Sequence, residues 1–356
     1  MSIPKLLEEL LLADGPSGFE GPASDVWRRF AADFGAEVSA DKIGSSIARV
    51  GESGPLLALV GHIDEIGLIV RHIDEEGMLW FAQVGIWKPH VLVGQRVKIR
   101  GREGLVDGVV AGRSEMLSSS PEGPDNKAVR LADLHIDVGA SSLAEAAEAV
   151  SVGNPVVPVG DPLTLRGNRL ISKALDNRVG SYVALEATRR IATAGGAPSI
   201  AAVVTVQEEV GIVGAATAAY EVRPDIAIAI DVCHASDVPD VDPKETGARG
   251  LGSGPVVQYA PTLFPKLAEL MIETAAEEGI PCALGANGFA ERGISSGTDA
   301  DVIQASRSGV VAGLVSIPVR YMHTPVEMVD LDDVEAAVRL LVAVASKLGD
   351  DLELGK

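Results

Sequence analysis

The sequence predicts an α/β fold: a three-layer sandwich on a central mixed, largely parallel sheet, carrying an inserted small β domain. The short continuous apolar run at 56–60 marks a strand buried on both faces, and the apolar runs at 200–206, 226–230 and 310–319 read as further strands. From Asp161 onward such runs alternate with helical stretches, the pattern of a mainly parallel sheet. Between Gly67 and Gly160 the texture changes to short β-rich runs separated by glycine-containing turns.

The elements follow in order. Residues 1–14 contain Leu-Leu-Glu-Glu-Leu-Leu-Leu, an amphipathic helix, and Gly15-Pro16-Ser17-Gly18 turns the chain. Val26, Trp27 and Phe30 lie at helical spacing within 22–34. The strand 56–60 runs into Gly61-His62-Ile63-Asp64. In the insertion the runs 68–73, 78–84, 96–99, 105–110 and 134–138 read as strands and 142–150 as its one helix. Residues 118–127 form a polar loop with proline and glycine, suited to mobility or to a partner. Helix 176–194 then leads to strand 200–206, helix 214–220 to strand 226–230, and helix 265–278 precedes strand 310–319; helix 331–348 follows. The expected domains are therefore 1–66 with 161–356, and the inserted 67–160.

Composition narrows the function. Of 356 residues, 47% are hydrophobic, enough for a sizeable core, and 22% are charged, which excludes wholesale disorder. The net charge of −20 opposes nucleic acid, and the densest basic run, Lys98-Ile99-Arg100-Gly101-Arg102, reads as a strand end. Cys233 and Cys282 are too few for a disulfide framework. The first helix lacks the basic start and cleavage site of a signal peptide, and no apolar run approaches the roughly 20 residues of a membrane span. The expectation is a cytoplasmic protein with no membrane and no nucleic-acid partner.

Ionisable residues cluster where apolar runs end. The run 56–60 leads into His62 and Asp64, 200–206 into Gln207-Glu208-Glu209, 226–230 into Asp231, and 310–319 into Arg320-Tyr321-Met322-His323. Open α/β sheets bind ligands at the carboxyl ends of their strands, so these endings surround one crevice. Asp176 sits at a loop-to-helix junction that can face the same place. Two histidines with several carboxylates suit a pair of divalent cations such as zinc, cobalt or manganese. A bridging carboxylate holds such ions about 3.5 Å apart, close enough to polarise one water. Residues two apart in a strand face the same way, so Asp64 can orient His62 from behind. One of the adjacent Glu208 and Glu209 can bind metal while the other exchanges a proton with water and the leaving amine. Taken singly, each carboxylate is more readily an N-cap or solvated loop residue, and a lone histidine more readily a surface or hydrogen-bonded one. On spacing alone both readings stand.

Five ordered strings go further: Gly61-His62-Ile63-Asp64-Glu65-Ile66-Gly67, Ala174-Leu175-Asp176-Asn177-Arg178-Val179-Gly180, Gln207-Glu208-Glu209-Val210-Gly211, Gly297-Thr298-Asp299-Ala300 and Arg320-Tyr321-Met322-His323-Thr324-Pro325-Val326-Glu327. Together they resemble the tetrahedral-aminopeptidase family of co-catalytic metallopeptidases, over essentially the whole chain. The resemblance implies one metal held by His62, Asp176 and Asp231, and a second by Asp176, Glu209 and His323. It implies Glu208 as general base and then acid, with Asp64 supporting His62. It further implies a barrel-like insertion that helps to build a homododecameric shell, and short peptides as substrates. The segment Arg113-Ser114-Glu115-Met116 departs from the Pro-Pro-His-like segment common in the family.

His72, His90 and His135 fall in the insertion and read as structural or surface residues. Cys233 and His234 follow Asp231 closely and belong near the site rather than among its ligands, and Cys282 packs as a small apolar residue. Thr298 and Asp299 are candidates for substrate contact or loop ordering, and Arg320 for a supporting salt bridge. The preferred first residue depends on loops that the sequence does not place, 287–296 among them. A deacylase or carboxypeptidase on the same di-metal fold, an endoglucanase with paired carboxylates, and a non-catalytic scaffold are the rival readings. The histidines count against the endoglucanase and the complete residue set against the scaffold.

Overall fold

The computed structural model describes residues 2–112, 128–194, 198–288 and 295–349. The segments 113–116 and 118–127, and the middle of 287–296, lie outside the described residues. The apolar runs form the middle of an eight-stranded sheet ordered β1-β2-β12-β3-β13-β16-β14-β15. Here β1 is Glu37–Ala40, β2 Ser46–Val50, β3 Ser53–His62 and β12 Pro198–Thr205. The others are β13 Ile226–His234, β14 Val256–Tyr259, β15 Ala283–Ala286 and β16 Val311–Val319. The pairs β12–β3, β3–β13, β13–β16 and β14–β15 are parallel, whereas β1–β2, β2–β12 and β16–β14 are antiparallel.

The central strands are apolar throughout because each of their faces is covered. Leu57, Leu59, Ala202, Val204 and Ile228 point into one core with helices α1 (Lys5–Leu12), α2 (Gly21–Asp33) and α4 (Leu175–Ala194). The same core takes in α6 (Pro265–Glu277) and α7 (Leu331–Lys347). Their neighbours Ala58, Val60, Ala201, Val203 and Ala227 point into a second core against α5 (Val213–Val222). The period-2 alternation of strands thus divides one apolar run between two helical layers, giving the three-layer sandwich.

The sequence reading missed β1, β2, β14 and β15. Strand β1 is mostly exposed and β15 is the four residues Ala-Leu-Gly-Ala, so neither carries a distinct apolar period. Also missed is a three-stranded sheet of β10 (Leu163–Thr164), β11 (Arg169–Ser172) and β17 (Glu327–Asp330), too short to carry a period.

Between Gly67 and Pro158 the chain forms a closed antiparallel barrel ordered β4-β5-β8-β7-β6-β9. Its strands are β4 (Gly67–Ile73), β5 (Leu79–Val84), β6 (Arg96–Arg100), β7 (Leu105–Gly112), β8 (Leu134–Asp137) and β9 (Pro155–Pro158). The barrel has a core of its own, with Leu68, Leu79, Val97, Ile99, Ile136 and Val156, onto which α3 (Leu143–Ala149) packs through Ala146. Strand β9 escaped the sequence reading because two prolines in four residues argue against a strand. No helix among the described residues is long and apolar enough to cross a membrane.

Candidate active site

Strand β3 ends on His62, level with Thr205 at the end of β12, and β13 carries Asp231 near its own carboxyl end. His62 is 2% exposed, and its Nε2 lies 3.1 Å from Asp176 Oδ1, 3.7 Å from Asp231 Oδ1 and 4.0 Å from Glu208 Oε2. Its Nδ1 faces the other way, 3.2 Å from the Asp64 carbonyl oxygen and 3.5 Å from Asp64 Oδ1. The Asp64 carboxylate is itself fixed. It accepts the Ser17 hydroxyl at 2.6 Å and the backbone N–H groups of Glu208 and Glu209, both at 3.1 Å. Asp64 therefore sets His62 and aligns the glutamate pair at once.

Asp176 lies at the start of α4, where φ and ψ are still non-helical (−78° and 105°), so its carboxylate projects from the junction into the crevice. His323 follows β16, with Nε2 3.5 Å from Asp176 Oδ2 and 3.3 Å from Glu209 Oε1. Two donor groups result, His62–Asp176–Asp231 and Asp176–Glu209–His323, each with its ligand atoms within 4.8 Å of one another and with Asp176 in both. The structure thus brings His62, Asp64, Asp176, Glu208, Glu209, Asp231 and His323 to one crevice of about 420 Å³ and its back wall.

From residue 44 to residue 340 the sequence matches the M42 glutamyl aminopeptidase family. The chain belongs to that family. It is 32% identical to the lysyl aminopeptidase of Pyrococcus furiosus over 349 residues, covering 97% of each chain. Among solved structures it resembles the TET aminopeptidase from the marine sediment archaeon Thaumarchaeota archaeon SCGC AB-539-E09, with a TM-score of 0.90, 35% identity and coverage of 97% of this chain and 96% of that one. It also resembles the Pyrococcus horikoshii TET1 peptidase, which can assemble into a tetrahedron or a large octahedral shell. That match has a TM-score of 0.83 and 30% identity, and covers 96% of this chain and 98% of the other. This M42 protein is a metal-dependent aminopeptidase, a peptide hydrolase.

The residues present fit metal ions. Glu209 Oε1 is buried without a hydrogen-bond donor among the described residues, although His323 Nε2 is 3.3 Å away. Burial pushes the acid pKa of Glu208 and Asp231 well above its ordinary value, their carboxylate neighbours adding to the rise despite His62. Glu209 moves the same way, through burial and the nearby Asp176. Burial also acts on Asp176, but hydrogen bonds from His323 and His62 outweigh it and hold that carboxyl low. Crowded buried carboxylates with imidazoles are a donor set that cations neutralise.

Of the other sequence candidates, Cys233, His234 and Thr298 line the crevice, and neither Cys233 nor His234 joins a donor group. Asp299 is buried and accepts the Thr205 hydroxyl at 2.6 Å, and Arg320 pairs with Asp237 at 2.5 Å. Three contributors escaped the sequence reading. Glu327 accepts the backbone N–H of Asp176 at 2.9 Å and of His323 at 2.8 Å. It closes the Arg320–Glu327 string, but nothing in spacing reveals a carboxylate spent on backbone amides. Ile86 accepts from His323 Nδ1 with its carbonyl, which no side chain advertises. Arg249 lines the crevice from an irregular loop.

Proposed function

We propose that this M42 aminopeptidase binds two divalent ions per chain, zinc or cobalt with manganese also accommodated. His62, Asp176 and Asp231 hold one, and Asp176, Glu209 and His323 the other. When bound, such a pair supplies Lewis acidity that activates water and polarises the scissile carbonyl. Glu208 is the general base. The observation that carries this role is its position: in the crevice wall with its side chain 10% exposed, 4.0 Å from His62 Nε2, yet outside both donor groups. Its carboxylate takes a proton from the attacking water and delivers it to the departing amine, and a pKa raised by burial suits that exchange. Asp64 supports His62 from behind.

The test is Glu208→Gln. Hydrolysis should fall by at least about 100-fold while two metals per chain are still bound. Unchanged hydrolysis would sink the assignment.

The first residue of the substrate is acidic in this reading, and Arg249 supports it. Arg249 is 9% exposed, lines the crevice and gives its Nε to the His234 carbonyl at 3.0 Å. No carboxylate among the described residues pairs with its remaining nitrogens. A substrate carboxylate would provide the bidentate partner that a buried guanidinium favours. Arg249→Gln should cut kcat/KM on a glutamyl anilide by about 10–100-fold and change a leucyl anilide little. Equal losses on both would remove Arg249 as the selector.

The enzyme acts on short peptides in the cytoplasm. Residues 67–160 form an inserted unit that helps assemble a homododecamer, with 1–66 and 161–356 as the catalytic unit. The relative that forms a tetrahedron supports the assembly, as do Leu105, Val109, Leu143 and Val152, apolar and exposed within this segment. A single monomeric species in sedimentation would overturn it.

A further inference from the structure

The two crevice histidines are backed differently. His62 is backed by Asp64, two residues along its own chain segment. His323 is backed by the barrel, for its Nδ1 lies 3.0 Å from the carbonyl oxygen of Ile86. A carbonyl only accepts, so Nδ1 carries the hydrogen and Nε2 faces Asp176 and Glu209.

Ile86 lies in the turn that leaves β5, and that turn is fixed on both sides. Gly85 has φ of +75°, and a Cβ there would stand 2.5 Å from Ile66 Cγ2, 3.1 Å from Ile66 Cβ and 3.5 Å from Glu209 Cβ. Trp87 is buried in the barrel core, and its indole N–H donates to the Gly67 carbonyl at 2.9 Å, where the chain enters the barrel. Ile86 is 69% exposed, so its own burial does not hold the residue in place. The segment is a strap, tied at Gly85 and Trp87 and presenting one carbonyl to His323.

We propose that residues 85–87 are a positioning element, through which the barrel fixes the tautomer and aim of His323 and so completes the Asp176–Glu209–His323 donor group. The inference rests on the assignment of His323 as a ligand under the proposed function. Nothing in it requires the strap to touch substrate.

The test uses the metal-stripped full chain titrated with cobalt(II) alone, read by equilibrium dialysis and by visible absorption. The ligand assignment expects two ions per wild-type chain and one in His323→Ala. The strap expects Gly85→Ala to bind its first ion normally and its second at least about tenfold more weakly, with an altered cobalt spectrum. Trp87→Phe, which keeps an aromatic ring, though a smaller one, and loses the N–H, should shift the second affinity in the same direction by less. Ile136→Ala, a truncation of the fully buried barrel core, should lower stability and leave both affinities unchanged. Two wild-type affinities in folded Gly85→Ala overturn the strap. If that variant does not fold, two wild-type affinities in Trp87→Phe overturn it instead. Equal weakening in Ile136→Ala also overturns it, since the effect is then barrel stability alone. Fewer than two ions in the wild type, or two retained in His323→Ala, overturn the ligand assignment itself.

Discussion

A proton on His323 is held up to about 11: burial opposes the charge, but Asp176 and Glu209 outweigh it. His62 moves in the same direction, as its bonds to Asp176 and Asp64 overcome burial. A metal ion competes with these protons for the same Nε2 atoms. Because both imidazole values are raised, the competition extends through neutral pH, weakens as pH rises and strengthens as it falls. Loading both sites near neutrality should therefore release at least about two protons per chain, the imidazole pair with any held by Asp231 and Glu209, and affinity should rise about tenfold per pH unit for each proton displaced. Calorimetric titration in buffers of different ionisation enthalpy measures that number; a value of zero would refute the linkage. At this scale His62, Glu209, Asp231 and His323 were legible as candidates because they follow apolar runs long enough to recognise, whereas Asp176, at a loop-to-helix junction, needed the family-like string around it. Glu327, Ile86 and Arg249 were not. Glu327 spends its carboxylate on the backbone amides of Asp176 and His323, Ile86 acts through its own carbonyl, and Arg249 sits in a loop whose path no periodicity foretells.

Among elements, one close approach near the site is between the end of β3 and the start of α4. A Cβ on Gly61 would stand 2.6 Å from the carbonyl carbon of Gly180 and 2.8 Å from the Ser181 nitrogen, so only glycine lets strand and helix meet. The Ser181 hydroxyl donates to the His62 carbonyl at 2.7 Å across the same contact. Gly61→Ala must part the two elements, and His62 and Asp176 lie on opposite sides of that seam. The substitution should cost about 1–3 kcal/mol of stability and weaken metal binding as well. Denaturant melts with cobalt titration of the folded variant check both, and wild-type behaviour in each would show that the seam yields freely. The sequence made β3 and α4 readable as elements, through one apolar run and one long helical stretch. It did not reveal how near they pass, because contact between elements far apart in sequence leaves no local period. The short strands β1, β15 and β17 were unreadable for the related reason that their neighbours define them.

Across the whole molecule, Glu65 joins parts that are remote in sequence. Its carboxylate accepts Lys173 Nζ at 2.8 Å, Arg178 Nη2 at 3.3 Å and the Gly15 N–H at 3.0 Å, and all three charged side chains are nearly inaccessible. Arg178 also donates to the Leu10 carbonyl at 2.6 Å. The N-terminal turn, the entry to the barrel and the base of α4 thus share one desolvated charge cluster. Removing the anion takes the ion-pair carboxylate from Arg178 and leaves Lys173 only Asp14 at 3.8 Å, so Glu65→Gln should lose about 3–5 kcal/mol. A loss below about 1 kcal/mol in chemical denaturation would mean that the cluster relaxes into water.

The order of strands in the large sheet bears on when the enzyme becomes competent. Strand β16 is the last of that sheet in sequence, yet it lies between β13 and β14 and alone connects β14 and β15 to the rest. His323 follows it directly, completing the second donor group, whereas His62, Asp176 and Asp231 are all present once the chain has reached β13. A ribosome making this protein therefore releases the first donor group after about two thirds of the 356 residues and the second only after about nine tenths of them. On the proposed two-metal reading, the chain thus stays inert until about the last tenth of its own synthesis.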